Sequence, residues 1–142
     1  MIVPDINLLV HAYNKESRVH RPSRAWWEGL LNGVQMVGLP WVTILGFIRV
    51  TTHRQILAHP LRPDDACARV RAWLAQPYVA ILHPGERHPE ILFGLLGRLG
   101  TGGNLTTDAH LAALCIEHQA ELHSTDADFS RFSGLRWRNP IA

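Results

Sequence analysis

Apolar positions along the chain alternate between short continuous runs and longer stretches where they return at helical intervals. Met1–Pro4 is such a run and predicts a strand. Asp5 stands where this strand hands over to a helix carrying Ile6, Leu8, Leu9 and Val10, a junction that suits a capping residue. His20–Leu31 predicts a second helix, with Pro22 in its first turn and Trp26, Trp27, Leu30 and Leu31 clustered. Val34–Leu39 predicts a strand, and Pro40 opens a helix over Trp41–Thr52 that is apolar nearly all round. Pro63-Asp64-Asp65 starts a helix through Leu74 with Ala66, Val70, Trp73 and Leu74 as its stripe, and its two acids suit the helix dipole.

Val79–Leu82, bounded by Pro77 and Pro84, predicts a strand, and Glu86–Leu99 a helix. Gly100–Asn104 breaks the chain. Thr106-Thr107 then lead into a helix over Asp108–His118, followed by a strand at Glu121–Ser124. Thr125–Phe132 reads as a loop with a short turn, and Leu135–Trp137 as a final strand. Strands alternating with helices at this pitch predict an α/β fold, three layers around a mostly parallel sheet of about five strands. No linker or internal repeat divides residues 1–142, so a single domain is expected.

Composition narrows the function classes. With 46% hydrophobic and 18% charged residues, the chain can bury a core and is unlike a disordered sequence. Charged, His or Pro residues interrupt every apolar run before the roughly 20 residues a membrane-spanning helix needs. The start, Met1-Ile2-Val3-Pro4-Asp5, lacks a basic leader segment, so the cytoplasm is the expected compartment. A net charge of +2 does not by itself argue for nucleic acid. Lys15 is the only lysine beside thirteen arginines, a bias that fits either phosphate contacts or a GC-rich genome. Because Lys15 lies in Asn14-Lys15-Glu16, no P-loop exists. Cys67 and Cys115 form no CxxC pair and are expected to be buried thiols. His83 and His88 straddle a Pro-Gly turn and are not expected to bind metal.

The aspartates carry the chemistry. Of six, Asp64 and Asp65 open a helix, while Asp5, Asp108, Asp126 and Asp128 fall at strand-to-helix junctions. In an open parallel sheet the carboxyl ends of the strands form the ligand crevice. Acids converging there repel unless a cation neutralises them, and a set of hard oxygens suits Mg²⁺ or Mn²⁺. Each has a structural alternative: Asp5 and Asp108 as helix caps, Asp126-Ala127-Asp128 as an Asx turn.

Three segments in register strengthen the metal reading. Ile2-Val3-Pro4-Asp5-Ile6-Asn7-Leu8-Leu9, Thr107-Asp108-Ala109-His110-Leu111-Ala112-Ala113-Leu114 and Ser124-Thr125-Asp126-Ala127-Asp128-Phe129 resemble a PIN domain, in particular the VapC-type ribonuclease toxins of bacterial toxin–antitoxin pairs. The resemblance spans essentially the whole chain. It implies a PIN-like fold and a Mg²⁺- or Mn²⁺-dependent endoribonuclease cleaving structured RNA, either tRNA or rRNA. It also implies a VapB-type antitoxin partner and a homodimer. Asp5, Asp108 and Asp126 match the family's metal-binding acids and Asp128 the acidic position beside them, which makes all four the expected catalytic set. Asn7 and Thr125 match polar positions that support the site, and Arg49 is the expected phosphate contact. An acidic pocket would attract a basic side chain of the antitoxin. Trp26 and Trp27 offer more aromatic surface than one helix face easily buries, so one is expected in the core and the other toward a partner.

One departure stands out. In Thr43-Ile44-Leu45-Gly46-Phe47-Ile48-Arg49, Gly46 occupies the place of the family's usual Glu. Gly46 serves either close packing or room for a ligand, and it keeps open a PIN module that binds RNA or a protein without cutting. Two other readings fail: a DxD phosphotransferase lacks its partner Lys and cap insertion, and the Gly100–Leu105 stretch lacks the third glycine of a dinucleotide fingerprint.

Overall fold

The structure, a computed structural model, describes residues 1–142. Five strands, β1 (Ile2–Pro4), β2 (Val37–Pro40), β3 (Val79–Leu82), β4 (Glu121–His123) and β5 (Arg136–Arg138), form one sheet in the order β3-β2-β1-β4-β5. Every neighbouring pair is parallel, so the sheet is parallel throughout. Six helices connect or flank the strands: α1 (Ile6–Tyr13), α2 (His20–Leu31), α3 (Trp41–Thr51), α4 (Pro63–Leu74), α5 (His88–Leu99) and α6 (Thr106–Glu117).

Side-chain alternation along the strands divides the interior into two cores. Val79, Val37 and Leu39 face one side, where Leu9, Trp27, Phe47 and Val70 of α1–α4 cover them. Val3, Leu82 and Leu122 face the other, against α5 and α6 and the aromatic pair Phe129 and Phe132. This is the expected three-layer arrangement.

Boundaries differ where local chemistry intervenes. β2 begins at Val37, because Val34 is exposed and precedes the sheet. α5 begins at His88: the turn before it is tied to α6 by the Glu117 carboxylate, which accepts the Gly85 and Arg87 N–H groups at 2.8 and 2.9 Å. α6 begins at Thr106, two residues before Asp108. The last strand is shifted one residue toward the C-terminus.

The cysteines divide. Cys115 is buried, which pushes its thiol up to about 12. Cys67 is exposed, contrary to expectation, because it lies outside the Ala66–Val70 stripe that α4 turns inward. Trp26 and Trp27 also depart from expectation, since both pack inward. Trp27 is buried and meets Trp73 edge-on, while Trp26 donates its indole N–H to His123 Nδ1 at 3.0 Å. That bond places the His123 ring proton on Nε2, which donates to Glu121 at 2.8 Å. Burial holds His123 below its ordinary pKa, so it is neutral.

Candidate active site

β1 and β4 are neighbours, yet the chain leaves β1 toward β2 on one side and returns to β4 on the other. This is the switch point of the sheet, where an open α/β fold forms its crevice. Asp5 follows β1 and Asp126 follows β4, so the topology alone sets these two acids side by side.

Ser124 joins them. Its buried hydroxyl donates to Asp5 Oδ2 at 2.7 Å, and its oxygen accepts the Asp126 N–H at 3.0 Å. Asp5 Oδ1 accepts the Ile6 N–H at 2.8 Å as the cap of α1. Asp126 Oδ1 accepts the Asp128 N–H at 2.9 Å and opens a short 3₁₀ turn. Both acids are therefore caps as well as site residues. The cap explanation fails for Asp108, which lies in the first turn of α6, three positions past the N-cap residue Leu105, and no side-chain cap bond forms there. Above, Thr43 of α3 fixes the end of β1 by donating to the Pro4 carbonyl at 3.2 Å.

The electrostatics bring all four aspartates together. Burial raises the Asp5 pKa, opposed by the Ser124 and Ile6 hydrogen bonds, and the charge of Asp126 raises it further. Burial raises Asp108 to about 6, followed by the charges of Asp5, Asp126 and Asp128. No Lys or Arg balances these acids in any ion pair. No three His, Cys, Asp or Glu side chains are close enough to make a ready-formed metal cage.

The supporting residues fare differently. Asn7 lines a groove with Asp5, and its Oδ1 is buried without a hydrogen-bond partner. Thr125 is half-buried beside the acids, but the hydrogen bonds that hold them come from Ser124. Ser124 was legible only as the polar residue ending a strand just before Asp126. Arg49 is exposed on α3 and pairs with no acid; its neighbour Val50 lines the groove. His11, also in that groove, carried no signal except its place one helical turn after Asn7.

Gly46 is a packing device. A Cβ there would lie 2.6 Å from Ile6 Cγ1, and closer still to Cδ1. The crossing of α3 over α1 fills the space, so no vacant ligand position exists at Gly46.

Comparison with known proteins agrees with this geometry. The PIN domain family matches residues 2–135. Ribonuclease VapC33 of Mycobacterium tuberculosis is 48% identical over 141 residues, covering 99% of each chain. Ribonuclease VapC37 of the same organism is 44% identical over 142 residues, covering 100% of this chain and 99% of that one. Among solved structures, VapBC-1 of nontypeable Haemophilus influenzae superposes over the full length of both chains with a TM-score of 0.70 at 16% identity. VapC20 of M. tuberculosis, a Sarcin-Ricin loop cleaving toxin, does so over 96% of this chain and 99% of that one with a TM-score of 0.69 at 18% identity. The chain belongs to the PIN-domain family, among its VapC ribonucleases.

Proposed function

We propose that this protein is the toxin of a VapBC-type pair, a Mg²⁺- or Mn²⁺-dependent endoribonuclease that cuts structured RNA, tRNA or rRNA, and is inhibited by a cognate VapB-type antitoxin. The observation that carries this reading is the convergence of Asp5, Asp108, Asp126 and Asp128 without a balancing cation; burial, followed by the charges of the other three, raises Asp108 to about 6.

The residues fit a hard divalent cation. All four acids offer carboxylate oxygen, the hard donor such an ion prefers. Mg²⁺ keeps several of its waters, so it does not require a closed cage of protein ligands. Asp5, Asp108 and Asp126 would hold the ion, which would supply Lewis-acid stabilisation of the charge developing on the phosphodiester. Ser124 keeps the Asp5 carboxylate oriented through its hydroxyl. Asp128, which is exposed, would orient a water or accept its proton. Arg49 serves as a contact for RNA phosphate outside the acidic centre.

The same negative charge would attract a basic side chain from an antitoxin. Exposed Trp41, Leu45 and Phe93 supply apolar surface for a homodimer. No helix is long and apolar enough to cross a membrane, and the cytoplasm is the compartment that reading requires. The packed Gly46 favours the alternative of a non-cutting module, because it removes one acid from the usual set. Purified protein incubated with host RNA and Mg²⁺ or Mn²⁺ separates the two. The expected result is discrete cuts that vanish with EDTA and in Asp5→Ala and Asp108→Ala. A folded, antitoxin-free sample that binds RNA and leaves it intact in both metals would establish the module.

A further inference from the structure

We infer that the groove beside Asp5 is a nucleobase pocket, with His11 and Asn7 as the hydrogen-bonding pair that selects the nucleotide next to the cleaved bond. The inference rests on the ribonuclease reading above and deepens it. The groove is lined by Asp5, Ile6, Asn7, Val10, His11 and Val50. Ile6, Val10 and Val50 give it an apolar wall, and neither Lys nor Arg contributes to it. A phosphate there would meet only the negative charge of Asp5. A base, with an apolar face and a polar edge, matches a lining that is apolar with neutral hydrogen-bonding groups.

Asn7 and His11 lie one helical turn apart and therefore on the same side of α1. Asn7 brings an amide whose carbonyl oxygen has no partner. His11 is held at both ends. Its carbonyl accepts from His20 Nδ1 at 2.9 Å, and its Nδ1 meets Ser17 Oγ at 2.8 Å. Ser17 Oγ also accepts the Val19 N–H at 3.2 Å, so the hydroxyl that shares a proton with His11 Nδ1 is itself fixed, and Nε2 is the ring nitrogen left without a partner. Burial holds His11 below its ordinary pKa. The groove thus presents a pre-oriented imidazole with one unpaired ring nitrogen beside an unpaired amide, a combination that reads base edges and is indifferent to backbone charge.

The test compares the cut sites of wild type, His11→Ala and His11→Gln on a mixed-sequence RNA, with kcat and KM measured on the preferred and a disfavoured sequence. Loss of one neutral hydrogen bond in a desolvated site predicts about a tenfold loss of discrimination in His11→Ala. The loss should be greater on the preferred than on the disfavoured sequence, and His11→Gln, whose amide can donate or accept, should recover part of the preference. Unchanged preference, or an equal loss on every sequence, overturns the inference. Binding of A, C, G and U hexaribonucleotides to Asp108→Ala, with and without His11→Ala, decides the matter without cleavage. One base favoured only while His11 is present upholds the pocket, and equal binding of all four overturns it. If wild type cuts no RNA in either metal, the nuclease reading falls, while this binding measurement still decides the pocket.

Discussion

Replacing Gly46 by Ala adds one methyl group where α3 crosses α1, within 2.6 Å of Ile6 Cγ1 and 3.2 Å of its Cγ2. Ile6 cannot easily step aside. It is β-branched, stands in the first turn of α1, and has one strongly preferred χ1 rotamer in a helix. Two opposed effects follow. Ala stabilises a helix interior by about 1 kcal/mol relative to Gly, whereas forcing a methyl into a filled contact costs about 1–3 kcal/mol. The net expectation is a loss of about 1 kcal/mol. In an Ile6→Ala background the obstruction is gone, so Gly46→Ala should instead stabilise by about 1 kcal/mol. The coupling between the two positions is then about 2 kcal/mol. Urea denaturation of wild type, both single variants and the double variant, followed by circular dichroism, measures all four corners. Stabilisation by Gly46→Ala in both backgrounds would refute the packing argument. If the argument holds, Gly46→Glu carries the same penalty, and an added carboxylate requires a smaller residue at position 6.

Ser124→Ala removes the donor to buried Asp5 and the acceptor for the Asp126 N–H, and should cost about 1–3 kcal/mol in denaturant titrations; Ser124→Thr, which keeps the hydroxyl, should recover most of it. Asp108 gives a pH signature. Its folded-state pKa lies above its ordinary 3.8, at about 6, so its contribution to stability is full below about pH 3.8 and lost as pH rises through 6. The half-buried His11 and His110 and the buried His123, with lowered pKa values, act in the opposite direction. The informative quantity is therefore the Tm of Asp108→Asn minus that of wild type, measured without metal. This difference should be larger at pH 7.5 than at pH 5, and Mg²⁺ at pH 7.5 should raise the Tm of wild type alone. A difference independent of pH would contradict the raised Asp108 pKa.

The layers were legible because each side of the sheet demands its own apolar spacing. Val79 and Leu82 read as a strand, and Ala66 and Val70 as a helix stripe, before any contact was known. The aspartates were legible as residues at junctions, since turns favour Asp and crevices collect it for different reasons that coincide here. What the pattern hid was long-range. Ser124 gains its role only by meeting a residue 119 positions away. The place of Asp108 within α6 depended on a helix start at Thr106, which threonine propensity alone does not announce. Trp26 looked surplus on its own helix because its partner, His123, lies on β4. Gly46 could be read either way until Ile6 was seen against it.

The bond between Ser124 and Asp5 spans almost the whole chain, and it sets the order of events during synthesis. At about 5–20 residues per second, the ribosome needs roughly 6–24 seconds after Asp5 to add Ser124. Until then β1 lacks one of its two neighbours, and Asp5 lacks Asp126 and Asp128. A nascent or prematurely ended chain therefore carries the first half of the acidic centre and none of the second. The full set of four acids is complete only with the last seventh of the polypeptide.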